Sequence, residues 1–395
     1  MTAALDHIKV IDLTHYIAGP YCTKLFAGFG AEVIKVERPG TGDPLRGTGP
    51  FFHDQRGLET SIPFLWLNTV KKSITLNLKA AEGKEIFTEL VKDADLVVEN
   101  FSPGVMARLG LEYEALQKIN PALVMVSISN FGQTGRYRDF KVEEMELQAL
   151  SGLMYLTGDP SRAPLAAGPA ICQYSAGQNA YLAALMALYQ RGAGGEGQHI
   201  DVAIMECALE NIEIAMTGNL HAGSTGKRGP HMMVPWGTYE SRDGYASVIA
   251  MPYRHWHKAT GLFAEQRLFD RKYEIVRERI KHREEYEALL RPCVREKAGK
   301  DLFHEGQRRN LAFGYVAGFE DVFDNPQHLA REFFVDVDHP ATGRQKYCNA
   351  PFRMEKNQWL AGRAPLLGED NEKIFGQSLG YSAERREELR RRGVI

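Results

Sequence analysis

Residues 8–46 constrain the fold most. Residues 8–13 (Ile-Lys-Val-Ile-Asp-Leu) and 30–38 (Gly-Ala-Glu-Val-Ile-Lys-Val-Glu-Arg) are short β-rich runs, and a helix opening at Pro20 lies between them. That order predicts a β-α-β unit, the opening of a parallel sheet. Pro20 suits a first helical turn, where its missing N–H would have no partner anyway. The Gly-x-Gly-x-x-Gly of a nicotinamide-type nucleotide fold is absent from this turn. Arg38 instead stands one step past an acidic residue at the end of the second strand, where a cation meets a phosphate on a nucleotide's ribose.

Further along, residues 96–99 and 123–128 are largely apolar, as buried parallel strands are. Helical periodicity fills residues 81–92 and 105–119, and 176–190 read as an alanine-rich helix suited to close packing. Residues 201–220 read as one more helix, with Met205, Leu209, Ile212 and Met216 on one face. The alternation predicts an α/β fold, a Rossmann-like doubly wound parallel sheet, within a large domain of residues 1–220. Residues 221–236 break periodicity with Gly and Pro and read as a linker. Residues 237–326 then form a second, smaller α+β domain: two short strands across 239–251 around Arg242-Asp243-Gly244, then charged helices from 264 to about 309. Residues 383–392 are almost all charged and read as a solvated helix face.

A chain of 395 residues is long enough for two domains with substantial cores. Its formal net charge of −2 argues against general affinity for nucleic acid or for an anionic membrane. No run is long and apolar enough to span a bilayer, and the N-terminus lacks a signal-peptide pattern. The five cysteines are scattered, with no Cys-x-x-Cys pair, as expected of a reduced cytoplasmic protein. His255-Trp256-His257 could suggest a metal, but i, i+2 histidines on a helix point apart and no acid or cysteine is close in sequence, so no metal site is expected.

Several motifs recur in a familiar order: the opening unit, residues 68–79 (Asn-Thr-Val-Lys-Lys-Ser-Ile-Thr-Leu-Asn-Leu-Lys), and 98–104 (Val-Glu-Asn-Phe-Ser-Pro-Gly). Gly132-Gln133-Thr134-Gly135, residues 148–152, Gly197-Gln198 and residues 364–369 (Ala-Pro-Leu-Leu-Gly-Glu) complete the set. Over nearly its whole length the chain resembles the family III CoA-transferases, the group of formyl-CoA transferase, carnitine CoA-transferase and α-methylacyl-CoA racemase. The resemblance implies coenzyme A or acyl-CoA and an organic acid as substrates. It implies an interlocked dimer of ring-like subunits, and a return of residues 327–395 to complete the large domain.

The resemblance also carries site residues. Arg38, Lys79, Arg108 and Lys141 match cations bordering the CoA site, suited to its pyrophosphate and 3′-phosphate; the alternative is four solvated surface cations. Ile17, Ala18, Leu76, Asn77, Leu78, Asn100, Phe101 and Ser102 match ligand-lining positions at strand ends and turns. His15 matches an active-site position of formyl-CoA transferase; the alternative is a turn histidine bonded to nearby backbone. Ile17 stands where that enzyme has glutamine, which disfavours small polar acids such as oxalate. That enzyme's glycine-rich covering loop has no counterpart between residues 225 and 245.

The exception falls at the chemistry. Transferases of this family carry a nucleophilic aspartate that attacks the donor thioester, forming a mixed anhydride and then an aspartyl-CoA thioester. Gln173 stands at that position, and residues 163–180 hold no Asp or Glu. A neutral amide cannot form the anhydride. Glu143 falls where the racemase branch has its catalytic histidine, and Glu144 matches a glutamate near the transferase active site. With Gln173 and Glu143 in place of Asp and His, the two bases of racemisation are missing. Glu144 is the candidate substitute nucleophile; otherwise both glutamates are helix-start acids or polar lining.

Three expectations follow. The chain is a non-catalytic subunit paired, as a heterodimer or heterotetramer, with a sibling that has the aspartate, as in the two-subunit benzylsuccinate CoA-transferase. Or it is an active homodimer with an altered mechanism. Or it is a CoA-binding protein with no transferase partner.

Overall fold

A computed structural model describes residues 3–223, 226, 228–229, 233–249, 257–259 and 261–395. The described chain forms two compact units. One comprises residues 1–157, 165–226 and 330–395, the other 158–164 and 227–329. His255 and Trp256 of the histidine pair lie outside the described residues, as does Met251 at the end of the expected strand pair.

The first unit is built on strands β1 (Lys9–Asp12), β2 (Glu32–Glu37), β3 (Lys72–Thr75), β4 (Leu96–Glu99), β5 (Val124–Ser129) and β6 (His199–Ala203). They lie in the order β3-β2-β1-β4-β5-β6, and every pairing is parallel. The helices are α1 (Ala18–Gly28), α2 (Ile62–Leu67), α3 (Ala81–Lys92), α4 (Val105–Leu109), α5 (Tyr113–Ile119), α6 (Glu144–Leu150), α7 (Leu153–Leu156), α8 (Ile171–Gly192), α9 (Ile204–Glu210) and α10 (Glu213–Ala222).

Both faces of the sheet are covered, which explains its apolar strands. Val10, Val33, Val98 and Val126 pack against Phe26 of α1 and Ala176, Ala180 and Ala184 of α8. Ile11, Ile34, Val97 and Met125 pack on the other face against Phe87 of α3, Leu116 of α5 and the C-terminal Leu389, Val394 and Ile395. The last segment docks at the β3 edge, where Asp370 and Ser73 exchange hydrogen bonds of 2.9 Å. The helix Ala383–Arg391 is not merely a solvated face, because Arg385 reaches Glu82 of α3 at 2.9 Å and Leu389 is fully buried.

Two expected helices are revised. Residues 199–203 form the sixth strand rather than the start of a helix, and α9 and α10 are separate beyond it. Ile200 and Val202 sit well in a strand, and Asp201 takes the Gln133 N–H at 2.9 and 3.0 Å, tying β6 to the loop after β5. Residues 105–119 break into α4 and α5 at Gly110, whose φ of +72° ends the first helix in the left-handed region.

In the second unit, β7 (Trp236–Ser241), β8 (Gly244–Ile249) and β9 (Ala312–Tyr315) form an antiparallel sheet. Tyr239, Val248 and Phe313 of that sheet cluster with Tyr286 and Leu290 of the helix Arg283–Arg295 and Leu302 of the helix Gly299–Arg308. Among the described residues, no helix is long and apolar enough to cross a membrane, and no cluster of metal-ligating side chains occurs.

Candidate functional site

The strand order reverses direction between β1 and β4, the topological switch point at which open α/β sheets bind ligands beyond their carboxyl ends. Two turns meet there. The Asn100 side chain accepts the His15 N–H at 2.7 Å and donates to the His15 carbonyl at 2.8 Å. This double clasp fixes the turn after β1 to the turn after β4. The His15 imidazole stands edge-on to the Phe101 ring, centroids 5.3 Å apart, and makes no hydrogen bond among the described residues. Burial lowers its pKa below the ordinary histidine value, against the pull of Asp43. His15 is therefore a turn histidine whose backbone N–H and carbonyl are both bonded to Asn100 and whose ring is disfavoured from carrying charge by burial. Tyr16 follows at a φ of +61°, a left-handed conformation that turns the chain into α1.

Beneath this turn lies a network of buried charges. Asp12 accepts from the Thr14 N–H at 2.8 Å, the Thr23 hydroxyl at 2.7 Å and the Lys71 ammonium at 2.9 Å. Lys35 donates to the Thr14 carbonyl at 2.7 Å and pairs with Asp43 at 2.9 Å. Arg46 grips both Glu37 oxygens at 2.7 and 2.9 Å and donates to the Pro365 carbonyl at 3.1 Å, drawing the C-terminal motif to the end of β2. Burial pushes the Lys71 ammonium down to about 8, with Asp12 pulling the other way. Such paired buried charges hold loop geometry more than they add stability. None of them stands out as a site residue in the sequence; the available signal was charged Lys35 and Glu37 among the apolar Val33, Ile34 and Val36 of β2.

The cations stand differently. Arg38, Lys79 and Arg108 are exposed, and none has a carboxylate partner among the described residues. Lys141 has only the Ser102 hydroxyl, at 3.3 Å. They follow β2, β3, β4 and β5 in turn, so each comes off the carboxyl edge of the sheet. Most other surface arginines are ion-paired, as Arg363, Arg385 and Arg386 are. Leu76 is buried, Asn77 caps its own loop through the Lys79 N–H at 3.1 Å, and Leu78 is partly buried. A row of unpaired cations at this edge suits a polyanionic ligand.

Position 173 lies in the first turn of α8. That helix crosses α1 closely at Gly177, where a Cβ would stand 2.6 Å from the Ala18 carbonyl oxygen. The crossing sets Tyr174 edge-on to Tyr21 at 4.8 Å, beside partly buried Ile17 and Trp66. Gln173 is partly buried, and its amide makes no hydrogen bond among the described residues. Glu144 instead serves the backbone: it accepts from the Cys172 N–H at 2.9 Å, the Gln173 N–H at 3.3 Å and the Gln148 amide at 2.9 Å. It is the cap of α8, the arrangement expected of a carboxylate at a helix N-terminus. Glu143 begins α6 in a reciprocal capping box with Glu146. Cys172, next to Gln173, is no substitute nucleophile, since burial, with Glu144 beside it, pushes its thiol up to about 12. The turn thus holds an unengaged amide at 173 and a carboxylate spent on backbone.

The profile of CoA-transferase family III matches residues 5–371, and the chain belongs to that family. Among its relatives is a formyl-CoA:oxalate CoA-transferase of Rhodopseudomonas palustris, 31% identical over 100% of this chain and 98% of the relative. Another is the subunit BbsE of succinyl-CoA:(R)-benzylsuccinate CoA-transferase from Thauera aromatica, 33% identical over 99% of this chain and 98% of the relative. A CaiB/BaiF family protein from Brucella suis has a similar crystal structure, with a TM-score of 0.86 and 31% identity over 95% of this chain and 100% of that one.

Proposed function

We propose that this chain is a CoA-binding subunit of a family III CoA-transferase that has given up the attacking carboxylate and works beside a sibling subunit that carries it. The carrying observation is the neutral amide of Gln173 at the start of α8, with the neighbouring Glu144 committed to the Cys172 and Gln173 N–H groups. Thioester attack needs an anionic oxygen with a free lone pair aimed at the carbonyl carbon. An amide offers no anion, and Glu144 is engaged on its acceptor side. In this reading Arg38 meets the 3′-phosphate of coenzyme A, while Lys79, Arg108 and Lys141 serve the pyrophosphate. The His15–Asn100 clasp holds the turns between them. Apolar Ile17 near Tyr174 suits an aromatic or long acyl group better than oxalate, and a relative's name, a benzylsuccinate CoA-transferase subunit, supports that substrate class.

The test is turnover. The pure chain is incubated with succinyl-CoA and a panel of aromatic and dicarboxylic acids, alone and with the sibling subunit, and new thioesters are measured by mass spectrometry. The expected result is product only when the sibling is present. Robust turnover by the pure chain overturns the proposal.

A further inference from the structure

Glu99 closes β4, immediately before Asn100, and is only 4% exposed. Its carboxyl accepts the Phe101 N–H at 2.8 Å, which bends the chain into the turn carrying Asn100, Phe101 and Ser102. On the neighbouring strand Ser127 stands in register with Glu99, and its hydroxyl works against the rise that burial causes in the Glu99 acid. Ser127 in turn lies 2.9 Å from Nε2 of His199 on β6. The His199 ring stacks on Tyr113 at 5.6 Å. Three polar side chains on three adjacent strands thus stand in a line across the sheet, from buried Glu99 and Ser127 beside the turn that clasps His15 to the exposed His199 on the edge strand β6.

We infer that Glu99 is the positioning residue for the turn 100–102 and the inner end of a proton-switched line, Glu99–Ser127–His199. The inference rests on reading that turn as part of the coenzyme A site. Ionised Glu99 only accepts hydrogen bonds. The Ser127 hydroxyl then donates to it, and the Ser127 oxygen accepts from a proton on Nε2 of His199. When Glu99 is protonated, its O–H donates to Ser127, and the Ser127 hydroxyl turns to donate to a bare Nε2. His199 then carries its single proton on Nδ1. Overall one proton is taken from water: it arrives at Nδ1, the Nε2 proton passes to Ser127, and the Ser127 proton passes to Glu99. His199 is neutral at both ends of the exchange.

The surroundings place the switch near neutrality. Burial raises Glu99 to about 7, against the bonds from Ser127 and Phe101, and Asp201 on β6 adds to the rise. Burial lowers the pKa of His199, against the pull of Asp201 and Glu114, which favours the neutral ring. On this face lie the apolar Ile11 of β1 and Leu13 just beyond it, and the overlying helices contribute Met106 and Leu116. Tyr113 and Glu114 of α5 face His199, Glu196 acts on Tyr113 from the chain before β6, and Arg108 of α4 is exposed.

Two measurements test this. In the ligand-free chain with ¹⁵N-labelled histidine, the His199 signals, assigned with His199→Gln, should move from the Nδ1–H to the Nε2–H pattern as pH rises from 6 to 8. Glu99→Gln mimics the protonated acid, because its amide donates to Ser127 and its oxygen still accepts from Phe101; it should hold the Nδ1–H pattern throughout. In calorimetry, coenzyme A affinity of the parent should rise about threefold from pH 6 to 8, since a charged acceptor grips the Phe101 N–H harder. It should be flat in Glu99→Gln and at least about tenfold weaker in Glu99→Leu, which leaves that N–H unbonded. A His199 pattern constant from pH 6 to 8, or one that still switches in Glu99→Gln, overturns the proton line. Equal coenzyme A affinity in Glu99→Leu and the parent overturns the positioning role. Failure of the parent to bind coenzyme A at all, with the switch intact, sinks the proposed function and the positioning role but keeps the line.

Discussion

Gln173, in the first turn of α8, presents an amide that makes no hydrogen bond among the described residues. Gln173→Asp shortens the side chain by one methylene and adds a charge. The helix N-terminus favours that charge, while partial burial beside Tyr174 and Ile17 raises its pKa. The expected outcome is a slow acyl- or CoA-protein adduct on the introduced aspartate after one turnover with succinyl-CoA, seen by intact mass. Rate depends steeply on placement, so full activity is not expected. A variant that binds coenzyme A tightly and forms no adduct would assign this chain a scaffolding role. Arg38→Ala is the second residue-scale test. Loss of a charge-assisted phosphate bond should weaken coenzyme A by about 1.5–3 kcal/mol, roughly ten- to a hundredfold. Unchanged titration heats in that variant would place the ribose phosphate elsewhere. The exposed position of these cations was legible in the sequence, since each falls outside the apolar strands, and their role there is what the resemblance implies. The charges beneath them, Asp12, Lys35, Asp43 and Lys71, were not, because in isolation each looks like a surface residue and only the fold shows it at 0–5% exposure.

Among the elements, β4 and α3 follow their sequence patterns residue for residue, the first as a short apolar run and the second as an amphipathic helical one. Strand β6 did not, because its five residues begin His-Ile-Asp and run straight into α9 without a turn signal. Its strand character comes from pairing with β5 rather than from local preference. The α1–α8 crossing was foreseen only as an alanine-rich packing helix, and its tightest point is a glycine. Gly177→Ala would bring a methyl group to 2.6 Å from the Ala18 carbonyl and 3.0 Å from the Tyr21 ring. The expected cost is about 1–3 kcal/mol in urea unfolding, as for other overpacked contacts. Gly192→Ala, at the far end of the same helix and with open space around it, should be neutral or slightly stabilising. Equal stability of the two variants would show that the helices can part without loss.

For the molecule as a whole, large apolar side chains remain in water along α8 and α10. Tyr189 is 82% exposed, Ile214 90% and Leu220 74%. Exposed apolar surface of this kind marks protein contact. Purification of the chain from its native source should therefore yield a complex, and intact mass should reveal a second family III chain with an aspartate aligned to Gln173. A complex containing only copies of this chain would favour the active homodimer. Glu144 adds a further consequence at this scale. The N-terminus of α8 is closed by a carboxylate from another helix, bonded to backbone N–H groups and indifferent to the side chain at position 173. The backbone of that turn is therefore held without help from the Gln173 side chain. A substitution at position 173 that changed reactivity would then leave the capped start of α8, and the fold around it, in place.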